Sequence, residues 1–212
     1  YSSPEQRALT QWLHASDLVI PVTARTQEAY NRVLLRFCDH AVLSNGATIL
    51  DPKRKVDQKW EQQVARSLVT ELPLLTNIYE KLQAEYGGQG GLNIRIVGDM
   101  GRSAYLVAKN PAKDPTLVRQ AFEGCVAPWL TENPNFTHHL NGNNLAVLPP
   151  SVNKRSAVAY LIKKLELEHG DLFIVGAGDS LTDIPFMSLC HVAIIPTTSQ
   201  IWDLTKTFIG NK

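Results

Sequence analysis

The sequence predicts an α/β protein, a doubly wound parallel sheet with an α+β module inserted into it. Two observations carry this. Short, nearly continuous apolar runs ("DLVIPV" at 17–22, "LFIVGA" at 172–177, "HVAII" at 191–195) alternate with helical periodicity at both ends of the chain. Strands buried on both faces of a parallel sheet read this way. From residue 57 to residue 150 a long helix gives way to alternating strands at hairpin spacing, the pattern of an antiparallel sheet with helices on one face. The predicted division is therefore 1–56 with 151–212 for the parallel unit, and 57–150 for the insertion.

Taken in order, "PEQRALTQWLH" (4–14) reads as an amphipathic helix with Leu9, Trp12 and Leu13 on one face. "DLVIPVTAR" is a strand ending at Thr23. "TQEAYNRVLLRF" (26–37) has helical spacing through Ala29, Val33, Leu34 and Phe37, and "HAVLSNGATIL" is a second strand broken by an Asn-Gly turn. Strand, helix, strand is the crossover unit of a parallel sheet. A helix over 59–85 stops at "GGQGG"; "LNIRIVGD" and "SAYLVAKN" then form a hairpin. "DPTLVRQAFEGCVAPWL" is a helix opened by Asp114 and Pro115, and "FTHHL" and "NLAVLPP" flank "NGN" as a second hairpin. After Pro150 come the helix "KRSAVAYLIKKLELE", the strand "LFIVGAGD", a further helix and the strand "HVAII". The parallel strands should end near Thr23, Leu43, Asp179 and Ile195.

Net charge is +1 over 212 residues and the basic residues are dispersed. That leaves no electrostatic footprint for nucleic acid or an anionic membrane. No apolar run is long enough for a bilayer-spanning helix, and the opening "YSSPEQRALT" has no signal-peptide pattern. Cys38, Cys125 and Cys190 are odd in number and far apart. They read as buried thiols in a reducing, cytoplasmic compartment rather than as metal ligands or a disulfide framework.

Three stretches at the ends of the predicted parallel elements carry the chemistry. Thr23, followed by Ala24 and Arg25, offers a hydroxyl and backbone N–H groups entering a helix, a site of phosphate size. Its bland alternative is a simple helix cap. Lys154 stands in the first turn of a helix, where a cation opposes the helix dipole unless an anion faces it; its alternative is a solvated surface lysine. "IVGAGDSLTD" (174–183) delivers Asp179 and Asp183, with Ser180 and Thr182 between them, to a strand tip. Paired carboxylates there suit a hard cation that keeps several waters, and the alternative is again a capped helix.

Thr23, Lys154 and Asp179/Asp183 in this order, with an inserted module between the first two, resemble the haloacid dehalogenase superfamily of phosphatases. The resemblance is to the branch with a type-IIB cap, which includes sucrose-phosphate phosphatases and Cof-like sugar phosphatases. The "SNGA" turn at 44–47 adds to it, and it covers almost the whole chain. It implies a Rossmann-like core with a cap domain, and a small phosphorylated metabolite, such as a sugar phosphate, as substrate. It implies that Thr23, with Ala24 and Arg25, binds the transferring phosphoryl group, and that Lys154 neutralises it. Asp179 and Asp183 become the Mg2+ site, supported by Ser180 and by Thr182, which stands where the Cof-like pattern has Asn. On the cap, Arg95, Lys109, His138, His139 and Asn141 become candidate substrate contacts. His138 and His139 are equally ordinary strand residues on opposite faces of a sheet.

The family's first motif, Asp-x-Asp-x-Thr, is not in this sequence. The aspartates are Asp17, Asp39, Asp51, Asp57, Asp99, Asp114, Asp171, Asp179, Asp183 and Asp203, and no two are two residues apart. The resemblance places that motif on a strand between those ending at Thr23 and Asp179. Leaving that strand out would expose two backbone edges at about 1–3 kcal/mol per unmade buried bond. The expectation is therefore that a strand and loop, on the order of 15–40 residues by ordinary element lengths, precedes Tyr1 and carries the nucleophile. Two rival functions stay open: a non-catalytic member that binds a phosphorylated ligand or a protein, and a phosphotransferase or mutase.

Overall fold

The computed structural model describes residues 4–15, 18–33, 37–99 and 101–209. Helix α1 (Pro4–Leu13) forms where the apolar spacing predicts, but Trp12 is 62 % exposed, so its apolar stripe is not fully buried. Asp17 lies outside the described residues. The next segment runs to a single parallel bridge between Val22 and Val42 rather than a long strand.

Helix α2 spans only Gln27–Asn31, shorter than the predicted 26–37. Thr26 caps it by accepting the Ala29 N–H, and the chain leaves the helix when the Val33 N–H turns back to the Tyr30 carbonyl at 2.9 Å, a tight final turn. Residues 34–36, including the predicted helix position Leu34, lie outside the described residues. Strands β1 (Ala41–Leu43) and β2 (Thr48–Leu50) pair antiparallel. A 3₁₀ turn, Ser44–Gly46, joins them with φ of 51°, 58° and 97°. At Gly46 a Cβ would stand 2.3 Å from the Asn153 carbonyl oxygen, so only glycine lets the turn meet the following layer.

Helix α3 (Gln58–Tyr86) is the long helix predicted, capped by Asp57, whose Oδ1 accepts the Trp60 N–H at 3.0 Å. The other Asp57 oxygen takes Lys164 at 2.8 Å, and the Tyr160 hydroxyl donates to Oδ1 at 2.9 Å, fastening α3 to α6 (Lys154–His169). Trp60, 2 % exposed, stacks on Tyr160 and donates its indole N–H to the Gly46 carbonyl at 2.9 Å.

Strands β3 (Asn93–Asp99), β4 (Arg102–Lys109), β5 (Thr137–Asn141) and β6 (Asn144–Leu148) form one antiparallel sheet in the order β3-β4-β6-β5. Both predicted hairpins are present. The predicted helix between them divides into α4 (Pro115–Ala121), a π turn (Phe122–Val126) and α5 (Ala127–Glu132). Period-two alternation gives the sheet two different faces. Ile94, Leu106, Leu145 and Val147 pack under the C-terminal half of α3 and under α4 and α5. Tyr105, Val107, Ala146 and Leu148 face the other way and join a second core with Val42, Ile49, Trp60, Leu161 and Phe186. That second core runs without a break from the antiparallel sheet into the parallel unit.

Strands β7 (Val175–Ala177) and β8 (Val192–Ile194) are parallel, with α7 (Ile184–Met187) between them and α8 (Gln200–Ile209) after. The parallel pairing is thus in two pieces, Val22 with Val42 and β7 with β8; among the described residues no strand joins them. The strand ends fall close to those predicted. Cys38 is exposed, against the expectation of three buried thiols; Cys125 is buried and Cys190 half-buried. Among the described residues no helix is long and apolar enough to cross a membrane.

Replacing Trp60 by Phe keeps the ring but leaves the buried Gly46 carbonyl without its donor. The expected cost is about 1–3 kcal/mol, read as a lower urea midpoint with an unchanged m-value in equilibrium unfolding.

Candidate functional site

Four separate parts of the chain arrive at one cleft of about 1920 Å³. The first is the loop after Val22. Thr23 donates its N–H to the Val42 carbonyl at 2.9 Å and accepts the Asn45 N–H at 3.1 Å, which pins it to the Ser44–Gly46 turn. Its hydroxyl accepts the Arg25 N–H at 3.2 Å, closing a local turn. Thr26, not Thr23, caps α2, so the simple-cap reading of Thr23 does not hold.

The second part is the start of α6. Asn153 is the cap, its Oδ1 accepting the Ser156 N–H at 2.7 Å, and Lys154 is the first helical residue. The anion that a lysine there requires is Asp183, whose Oδ1 accepts from Nζ at 2.7 Å.

The third part is the loop after β7. Asp183 Oδ2 accepts the N–H groups of Asp179 and Ser180 at 3.2 and 3.1 Å and the Ser180 hydroxyl at 2.9 Å. The Ser180 and Thr182 hydroxyls lie 2.8 Å apart. Gly178 makes this fold of the loop sterically possible, since a Cβ there would stand 2.6 Å from Asp183 Cβ. Burial alone would push the Asp183 carboxyl up, but the Lys154 charge and the bonds from Lys154 and Ser180 outweigh it and hold it below the usual range. Both Asp183 oxygens are thus engaged by protein donors. Asp179 differs: it is exposed to the cleft, and its carboxylate has no hydrogen-bond or ion-pair partner among the described residues.

The fourth part is the face of the antiparallel sheet that roofs the cleft. Register puts Arg95, Lys109, His139 and Asn141 on this face with Tyr105 and Ala146. His138 takes the opposite orientation, opposite Val147, with its ring centroid 4.5 Å from that of Phe122. It still borders the cleft because β5 is the sheet edge. His139 is held below its ordinary pKa, first by burial and then by the Lys154 charge, with Asp183 partly offsetting, and so is predominantly neutral at pH 7. Every residue singled out in the sequence, including Ala24, Arg25, Ser180 and Thr182, borders this one cleft.

Two residues not anticipated from sequence tie the roof to the floor. The Tyr105 hydroxyl donates to the Ala24 carbonyl at 2.9 Å, and burial, with the Asp99 charge, pushes its pKa up to about 12. Asp99 is 8 % exposed; it accepts the Ser44 hydroxyl at 2.6 Å and the Gln27 N–H at 3.1 Å. Strand alternation puts Tyr105 on the correct face, whereas nothing local marks Asp99.

Asp183→Asn removes the anion that Lys154 faces. Because the folded pKa is depressed, the native carboxylate contributes stability at neutral pH, and this is lost as pH falls through and below about 4. The variant should be less stable at pH 7 by about 3 kcal/mol and show a flatter acid limb. Thermal denaturation followed from pH 7 into the acid checks both.

The profile of the sucrose-6F-phosphate phosphohydrolase family matches residues 133–200, which contain Lys154, Asp179 and Asp183. No curated protein sequence matches the chain. Among solved structures, the sucrose-phosphatase of Synechocystis sp., in complex with sucrose and phosphate, superposes with a TM-score of 0.64 at 15 % identity, covering 99 % of this chain and 92 % of that one. The C-terminal domain of the C. albicans trehalose-6-phosphate phosphatase gives 0.58 at 16 % identity, covering 99 % and 69 %. The fold is therefore the Rossmann-like core with a cap, and the resemblance to cap-bearing haloacid dehalogenase phosphatases is borne out.

Proposed function

We propose that the protein is a Mg2+-dependent phosphatase acting on a small phosphate monoester, a sugar phosphate, with 57–150 as the cap over a core formed by 1–56 and 151–212. The observation that carries this is the convergence of Thr23, Lys154 and Asp179 on one cleft, from positions more than 130 residues apart in the case of Thr23 and Lys154.

In this reading Thr23 and the N–H groups of Ala24 and Arg25 receive the equatorial oxygens of the phosphoryl group, and Lys154 supplies the positive charge that matters most as negative charge develops. Asp183 keeps the Lys154 ammonium at one point, and the pair is positioned before substrate arrives. Asp179 fits as a Mg2+ ligand, a free carboxylate facing the cleft; a hard cation that retains water needs one or two such groups. The ion would neutralise phosphoryl oxygens. The described residues include no group of three or more metal-ligating side chains. The alternative is a non-catalytic protein that binds a phosphorylated ligand in the same cleft.

The test is phosphate release by the full-length protein from a panel of sugar phosphates, with and without EDTA. Turnover should require the metal. Lys154→Ala should lower kcat by about 10²–10³-fold, as loss of one transition-state donor does, and Asp179→Asn should raise the Mg2+ concentration needed for half-activity. Absence of phosphate release from every compound, with phosphate-ester binding retained, would select the non-catalytic reading.

A further inference from the structure

The cleft is more basic than the chain. It is bordered by Arg25, Arg32, Arg95, Lys109, Lys154 and Arg155, six cations, and by three carboxylates, Glu28, Asp179 and Asp183. Two of those carboxylates are already matched, Glu28 with Arg32 and Asp183 with Lys154. The whole chain carries a net charge of only +1. The excess of cations is therefore local, and part of it lies away from Lys154.

Arg95 and Lys109 are the pair in question. They stand on the cleft face of neighbouring antiparallel strands, Asn93 opposite Lys109 and Arg95 opposite Val107, which makes them diagonal neighbours within reach of one group. No hydrogen bond or ion pair engages either side chain among the described residues. Their cross-strand neighbours on this face are Asn93, Val107 and Asn144, none of them anionic. Asn144 in turn lies opposite Asn141. One row across the roof is therefore Asn93, Lys109, Asn144, Asn141, a line of three side-chain amides and one ammonium, with the Arg95 guanidinium beside it.

Tyr105, which holds the Ala24 carbonyl beside Thr23, and Lys109 lie on the same face of β4 four residues apart, about 13 Å along the strand. His139, whose pKa is lowered in part by Lys154, occupies the same row as Arg95. Three strand spacings separate them, about 14 Å. A phosphoryl group held at Thr23 and Lys154 would leave Lys109 free for another part of the substrate.

Resting on the phosphatase reading, we propose that Arg95 and Lys109 form a second anion subsite, so that the preferred substrate is a sugar phosphate whose leaving group itself carries a carboxylate or a second phosphate. Asn141 and Asn144 are the groups that meet its hydroxyls. The bidentate guanidinium and the mobile ammonium are together suited to a planar carboxylate or a phosphate. A neutral leaving group would leave both cations unmatched.

The experiment measures affinity separately from turnover. Titration calorimetry on the full-length protein compares 6-phosphogluconate and fructose 1,6-bisphosphate with glucose 6-phosphate and trehalose 6-phosphate, at two salt concentrations. The first two should bind at least about 10-fold more tightly, the effect of one charge-assisted contact, and lose more of their affinity as salt rises. Arg95→Gln with Lys109→Gln should abolish the preference and leave the two neutral-sugar phosphates within about 2-fold, with circular dichroism unchanged. Equal affinity for all four compounds overturns the subsite. So does equal weakening of all four in the variant, which would place both cations on the transferring phosphoryl group. Preference without phosphate release from any compound would keep the subsite and overturn the phosphatase.

Discussion

A three-residue turn sets the geometry on which the rest of this molecule depends. Ser44, Asn45 and Gly46 all have positive φ, and each spends its backbone or side chain on a different neighbour. Asn45 holds Thr23, Ser44 holds Arg25 and Asp99, and Gly46 receives the Trp60 indole and lies against Asn153. The loop after Val22, the end of β3, the start of α3 and the start of α6 are thus referred to one short piece of backbone. Left-handed conformations at two non-glycine residues are uncommon. Here they persist because three neighbours, Thr23, Arg25 and Asp99, hold them.

Electrostatics divides the cleft into a closed part and an open part. Lys154 and Asp183 form a nearly buried pair, and the carboxylate has a full set of donors, so neither charge is left to seek water. Such a pair adds little net stability over an apolar one, but breaking it is costly. Its use is position: it fixes an ammonium at the helix start, where the dipole would otherwise repel it. Asp179, four residues before Asp183 in the same loop, is left unpartnered. One loop therefore supplies both a committed carboxylate and a free one.

Much of this was readable from the amino-acid order. Period-two alternation places Arg95, Lys109 and His139 on one face of a sheet, and apolar continuity marks β7 and β8. Thr23, Lys154 and Asp179 are visible because each stands where an apolar strand or a helix begins or ends. The extent of α2 was not readable, because its spacing favours helix through Phe37 while a single tight turn at Tyr30 ends it. Chain order shows the carboxylates of Asp179 and Asp183 but not their donors, which engage Asp183 alone. Asp99 was invisible for a related reason: its partners, Ser44 and Gln27, lie 55 and 72 residues away. Only the fold shows the Trp60 indole N–H meeting the Gly46 carbonyl, 14 residues back in the chain.

The way the roof is attached has a consequence for traffic. On one side it is fastened by Asp57 to Tyr160 and Lys164, by Asp99 to Ser44 and Gln27, by Tyr105 to Ala24, and by Glu71 to Ser151. The other margin is β5, and among the described residues no hydrogen bond ties that strand to the parallel unit. A molecule entering or leaving the cleft would meet fewest fastenings along β5, past His139 and Asn141, and a substitution there would leave the bonds to Ala24, Ser44 and Gln27 in place.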